Sequence, residues 1–280
     1  MTSSGSDVII FSKDRPWQLG QLLSSMERHT DFKNVFVLLK NQSPYSDNYG
    51  KIISRFESRV CFHEEKTNFK DAFYELLEKC NETVSFMVDD VFFYNDFSSQ
   101  DAVDFMKNNP VISYQFKMNK KYDLCQTAGK KQKKPSSLAT KDGHWIWRGR
   151  DGTWDWNYPF DLTGSIYIKK DMKEIFEYIS KLEIRNPNDL EIAGATIFEE
   201  NSIDQFGKSL MACQDQRVCA CIAINHVNPR GSEWSVDPES SLKNFNSIIF
   251  DNFNYDEDFF INYKQKSVHI TKYSLKAIAK

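Results

Sequence analysis

The sequence predicts an α/β fold: a single domain whose mostly parallel central sheet is flanked by helices. Three observations lead there. Short apolar runs alternate with segments whose apolar residues recur at helical spacing, the pattern of strands joined by crossover helices. One such run, Val84 to Val88, ends in the adjacent acids Asp89 and Asp90, where a parallel sheet places its ligand chemistry. A chain of 280 residues also suffices to bury one full-sized core without disulfide staples.

Asp7 to Phe11 reads as the first strand, and Pro16 then starts a helix with Leu19, Leu22, Leu23 and Met26 on one face. Val35 to Leu39 gives the second strand, Tyr49 to Phe56 a short helix and Arg59 to His63 a third strand. Phe69, Ala72, Phe73, Leu76 and Leu77 lie at helical spacing within Phe69 to Cys80, before the fourth strand, Val84 to Val88. Asp101 to Lys107 follows as a helix and Val111 to Phe116 as a strand. Lys117 to Lys141 carries eight lysines with Gly129 and Pro135. It is expected to be a mobile, exposed loop, with a lid or a contact to an anionic acceptor as the functional alternative. Phe160 to Ile168 reads as a strand or hairpin, and Asp171 to Leu182 as a helix. Asn186 to Glu191 is a polar turn entering a helix that Asn188 or Asp189 can cap. Met211 to Ile224 contains a further buried strand, and residues 242–280 are expected to wrap the domain.

Charge is nearly balanced, 36 basic against 39 acidic side chains, so no overall field favours nucleic acid. The six cysteines are scattered without the density of a secreted disulfide scaffold, and the apolar setting of Cys219 and Cys221 favours buried thiols over a zinc cluster with Cys213. No signal peptide and no run of 18 apolar residues is present, so the expectation is a cytoplasmic protein with no transmembrane segment.

Neither G-x-G-x-x-G nor G-x-x-x-x-G-K-[ST] occurs, which argues against a Rossmann dehydrogenase or a P-loop ATPase. Asp89 and Asp90 are either an ordinary polar turn or the wall of a pocket for a metal-bound diphosphate. Trp145, Trp147, Trp154 and Trp156 lie within twelve residues among Arg148, Arg150, Asp151 and Asp155, a composition that suits the face of a sugar ring. Transfer of a sugar from a diphosphate needs a cation to stabilise the leaving charge and a carboxylate to take the acceptor's proton. Glu191 or Asp189, at the start of a helix, can supply that base, with Glu191 preferred and Asp189 better placed as a cap.

Ile10 to Pro16 with Gln18-Leu19 and Ser24 or Ser25, Phe86 to Asp90, and Asn186-Pro187 through Glu191 together resemble a GT-A fold nucleotide-sugar glycosyltransferase of the family-2-like branch. The resemblance covers Val8 to Pro229. It implies that Phe11, Ser12 and Arg15 lie in the nucleotide loop and that Asp89 and Asp90 form the metal motif for Mn²⁺ or Mg²⁺. The usual D-x-D would place its second acid at Val91, so either one carboxylate serves alone or Asp90 takes the metal and Asp89 the ribose. His226 is similar to a position where a third ligand lies, with His269 as its rival. Trp145, Trp154, Trp156 and Asp161 fall on the acceptor side.

These expectations amount to a metal-dependent inverting glycosyltransferase that moves a sugar from a nucleotide diphosphate donor to a carbohydrate or lipid-linked acceptor. Residues 1–110 would form the nucleotide-sugar half, 111–240 the acceptor and catalytic half, and 241–280 the wrapping segment. The rivals are a metal-dependent nucleotidyltransferase and a non-catalytic carbohydrate-binding protein. The first would want a glycine-rich basic loop after the first strand; the second would leave Asp89 and Asp90 idle.

Overall fold

The computed structural model describes residues 5–41, 46–66, 68–200, 208–224, 246 and 250–278. The chain opens with β1 (Asp7–Lys13), α1 (Pro16–His29), β2 (Val35–Lys40), α2 (Ser46–Phe56), β3 (Val60–Glu64), α3 (Phe69–Lys79) and β4 (Thr83–Val88). These strands pair in parallel in the order β3-β2-β1-β4. Strand β1 shows why its apolar run is continuous. Val8 and Ile10 face a core with α1 and α2, whereas Ile9 and Phe11 face a second core with α3, so both faces are covered. Each wholly buried side chain of this size contributes about 2 kcal/mol. Helix α1 begins with Pro16 at its first turn, and α3 is capped by Asn68, whose side chain accepts the Asp71 N–H at 2.9 Å.

Next come β5 (Val91–Phe93), α4 (Ser99–Asn108), β6 (Val111–Gln115), β7 (Leu124–Cys125), β8 (Lys130–Lys131), β9 (Ala139–Lys141) and β10 (His144–Arg148). After β11 (Ser165–Ile168), α5 (Lys173–Ile179) and α6 (Pro187–Glu200) come β12 (Leu210–Gln214) and β13 (Cys219–Ile222). The described chain closes with β14 (Phe253–Tyr255), α7 (Glu257–Asn262), β15 (His269–Ile270) and β16 (Leu275–Ala277). The full sheet has nine strands in the order β3-β2-β1-β4-β11-β6-β12-β10-β9, and only β11 and β10 run against the rest. The fold class is therefore the expected one, a largely parallel sheet between helical layers.

Several local expectations are corrected. Lys117 to Lys141 is not a plain exposed loop: Lys117, Met118, Tyr122 and Cys125 are buried, and β7, β8 and β9 order the backbone. Burial of the apolar side chains of Met118, Tyr122 and Cys125 offsets the solvation its lysines gain. Met211 to Ile224 holds two strands in different sheets, since β13 leaves the main sheet to pair with β5 and β15. Asn186, rather than Asn188 or Asp189, caps α6, its Oδ1 accepting the Asp189 N–H at 3.0 Å. All six cysteines are free thiols, and only Cys61 is exposed.

The two ends of the main sheet use acids differently. At the N-terminal end, buried Asp7 accepts from Asn34 N and Nδ2 at 3.3 and 2.8 Å and from Asn81 N and Nδ2 at 2.6 and 2.8 Å, tying together the starts of β1, β2 and β4. Its oxygens are consumed by structure. The C-terminal segment clasps α1: Trp17 Nε1 donates to Phe253 O at 3.0 Å, and Tyr255 N donates to Gln21 Oε1 at 3.0 Å. Among the described residues, no helix is long and apolar enough to cross a membrane.

Candidate functional site

Strands β1 and β4 are neighbours with Phe11 opposite Val88, so their C-terminal extensions bring Ser12 to Arg15 against Asp89 and Asp90. Asp14 turns the chain with a left-handed φ of 55°, and Arg15 folds back over the acids. Its guanidinium pairs with Asp89 Oδ1, and its Nη1 lies 3.4 Å from Asp90 Oδ2. Ser12 Oγ donates to Asp89 Oδ2 at 2.7 Å, and the Lys13 N–H reaches the same oxygen at 3.3 Å. Because the Ser12 proton is used there, the Tyr49 hydroxyl donates to Ser12 Oγ at 2.8 Å and accepts the Arg15 N–H at 3.2 Å.

Burial dominates the electrostatics. Asp89 is wholly buried, and that burial pushes its carboxyl up to about 6; Arg15 opposes the rise, Asp90 adds to it and the Ser12 hydrogen bond opposes it. Burial also penalises the Arg15 cation, yet Asp89 and Asp90 outweigh it and hold the guanidinium charged. Tyr49 is pushed above the usual phenol range by burial and then by the Asp89 charge, so it stays protonated.

The two acids are not equivalent. Arg15, Ser12 and Lys13 engage Asp89, whereas the Asp90 side chain keeps 16% exposure and its Oδ1 has no hydrogen-bond partner. Asp90 O accepts the Ile222 N–H at 2.8 Å, which anchors the residue's backbone. A hard oxygen donor of this kind suits Mg²⁺ or Mn²⁺, which binds through one or two carboxylates together with phosphate oxygens. Among the described residues, no group of three or more His, Cys, Asp or Glu side chains forms a complete metal cage. His226 lies outside the described residues. His269 sits in β15, opposite Cys221, which in turn lies opposite Val91.

Phe11 is corrected as a nucleotide contact. Its ring is 3% exposed and packs with Phe69, Phe73 and Phe86, so only its backbone faces the loop, where Phe11 O accepts the Asp89 N–H. Tyr49 went unnoticed in the sequence because it sits on the buried face of α2; its hydroxyl carried no linear signal.

On the other side, Glu191 Oε1 accepts the Leu162 N–H at 3.0 Å. Burial raises the Glu191 carboxyl above the ordinary glutamate range, against the Leu162 N–H, the Lys117 charge and a Tyr158 hydrogen bond. Asp189 is held by Arg185, whose Nε and backbone N lie 3.0 and 3.2 Å from Oδ2. Asp161 is buried, accepts the Thr163 N–H at 2.5 Å and pairs with Lys117. Lys117 is the second residue missed in the sequence, where it read as the first of a lysine run. Its signal was its position just past β6, at the same sheet end as Asp89. Gly164, at φ 136°, gives its stem room, since a Cβ there would lie 3.1 Å from Lys117 Cβ.

The tryptophans divide. Trp156 is wholly buried, with its Nε1 donating to Tyr122 O at 3.2 Å and its ring edge-on to Trp147. Its expected acceptor contact is therefore corrected, because packing consumes both faces of the indole. Trp145 Nε1 donates to Asp215 Oδ1 at 2.7 Å, with Lys120 Nζ 4.5 Å from its ring centre. Trp154 is 45% exposed.

No family model matches the chain. Over 95% of its length, however, it is 27% identical to the curated bifunctional glycosyltransferase pgtA of Dictyostelium discoideum. The chain is similar to a glycosyltransferase. The resemblance read from the sequence motifs is thereby borne out, and the chain spans 38% of the length of that relative. Among solved structures, S. aureus TarS 1-349 is 15% identical with a TM-score of 0.46, over 76% of this chain and 59% of that one. The mannosyltransferase PcManGT of Pyrobaculum calidifontis, in complex with GDP-Man and Mn2+, is 11% identical with a TM-score of 0.47, over 81% and 58%.

Proposed function

We propose that the protein is an inverting glycosyltransferase that takes a sugar from a nucleoside diphosphate donor. The observation that carries this reading is the pairing of Arg15 with Asp89 and Asp90 where β1 and β4 end, with one Asp90 oxygen left without a hydrogen-bond partner. Similarity to pgtA over nearly the whole chain supports the same class.

In this proposal Arg15 and Ser12 hold the nucleotide loop in place, and Asp89 fixes both of them. Asp90 would hold Mn²⁺ or Mg²⁺, and such an ion would supply positive charge against the departing diphosphate. Glu191 takes the proton of the attacking acceptor hydroxyl. Its raised carboxyl suits a general base, because a conjugate acid nearer neutral pH is a stronger proton acceptor. Trp145 and Trp154 contribute apolar faces for the acceptor sugar.

NMR of the product formed from an α-linked donor tests the mechanism. A β-linked product whose formation Glu191→Gln slows is the expected result. A retained α-linkage would rule out the single-base inversion.

A further inference from the structure

We propose that the surface built by residues 130–154 docks the acidic groups of a glycan acceptor, a saccharide bearing carboxylate, sulfate or phosphate, with Trp154 stacking on one of its rings. The inference rests on the glycosyltransferase reading and adds the chemical class of its acceptor.

Charge is the first support. Residues 130–154 hold seven lysines and arginines against two acids, a net of +5 in a chain of net −3, so the remainder carries −8. Lys131, Lys133, Lys134, Lys141 and Arg148 are exposed and enter no ion pair among the described residues. A uniform solvated surface would not segregate charge in this way, and a cationic field of this kind attracts an anionic ligand.

Trp154 is the second. It is exposed and adopts a left-handed φ of 56°, a strained conformation for a residue with a side chain, and Lys130 Nζ lies 5.2 Å from its ring centre. The Thr153 N–H donates to Lys133 O at 3.1 Å, and the Lys133 N–H donates to Thr153 Oγ1 at 2.8 Å. A half-exposed indole thus stands beside Lys130, on a backbone tied to Lys133.

Continuity is the third. Lys117 pairs with Asp161, and the adjoining Leu162 N–H donates to Glu191 Oε1 at 3.0 Å. The lysine-rich stretch that leads into this surface thus begins beside the proposed base. A single-stranded nucleic acid would want successive stacking rings. Here Trp147 and Trp156 are buried, and Trp154 is the one large apolar residue exposed in this segment, too little for a membrane-inserting face.

Titration calorimetry of the full chain without donor tests the proposal, using oligogalacturonate, its methyl-esterified form, oligouridylate and phosphatidylserine vesicles as probes. Oligogalacturonate should bind at least ~10-fold tighter than its ester and weaken with salt. Combined Lys131→Glu, Lys133→Glu and Lys134→Glu should lose about 10-fold, the corresponding Gln triple variant somewhat less, and Trp154→Ala should weaken acid and ester alike. Equal binding of acid and ester, no effect of charge reversal, or tighter binding of oligouridylate or vesicles would overturn the proposal. Sugar transfer is measured in parallel. Transfer without acid-dependent binding overturns this inference alone, whereas acid-dependent binding without transfer leaves the docking surface and overturns the activity.

Discussion

Replacing Asp89 with Asn should abolish a pH dependence that burial builds into the fold. The carboxyl titrates at about 6 in the folded chain against 3.8 for an ordinary aspartate. Because the folded value is raised, the fold holds this proton more tightly than the unfolded chain does. The resulting stability is fully present below about pH 4 and is lost as pH rises through about 6. A difference of about two pKa units corresponds to about 3 kcal/mol. Asparagine still accepts from Ser12 and Lys13 but cannot titrate. Urea unfolding of both proteins between about pH 3.5 and 7.5 gives the test. The stability of wild type minus that of Asp89→Asn should fall by about 3 kcal/mol as pH rises from about 4 through about 6 and level off at about pH 7. Glu191 and Asp155, both raised by burial, are present in both proteins and cancel. A difference that rises with pH would instead mean that Arg15 outweighs desolvation and holds Asp89 ionised in the fold.

Three further outcomes are expected. Glu191→Gln should lower turnover by about 10² to 10⁴, and the acid limb of the wild-type rate profile should lie above the ordinary glutamate range, both read from initial rates against pH. Gly194→Ala should cost about 1–3 kcal/mol in urea unfolding, because a Cβ there runs into the Phe160 ring. Asp7→Ala should cost about 3 kcal/mol or more in the same assay, because it strips the acceptor from the Asn34 and Asn81 donors.

The first half of the fold was legible because its signals are local. The continuous apolar run of β1 and the helical spacing of Leu19, Leu22, Leu23 and Met26 in α1 each report burial within a few residues. Strand β11 was legible as a strand but not as the antiparallel insert between β4 and β6, since register there is set by partners far along the chain. The same holds for the site. Asp89 and Asp90 stood out as adjacent acids after an apolar run, but the assignment of Asp89 to Arg15 and of Asp90 to the open side depends on a turn at Asp14 that no spacing reveals. Four clustered indoles suggested one sugar platform. Packing instead buried Trp147 and Trp156 against each other and left Trp154 outside.

Titration calorimetry with UDP, GDP, CDP and ADP, each with Mn²⁺ and with EDTA, on wild type and Asp90→Asn tests whether Asp90 holds a cation against a nucleoside diphosphate. At least one diphosphate should bind wild type with Mn²⁺, lose most of its affinity in EDTA and weaken at least ~10-fold in the variant, about 1.4 kcal/mol. Binding indifferent to both the cation and Asp90, or no binding by any of the four, would contradict a metal-assisted nucleotide-sugar site at Asp90.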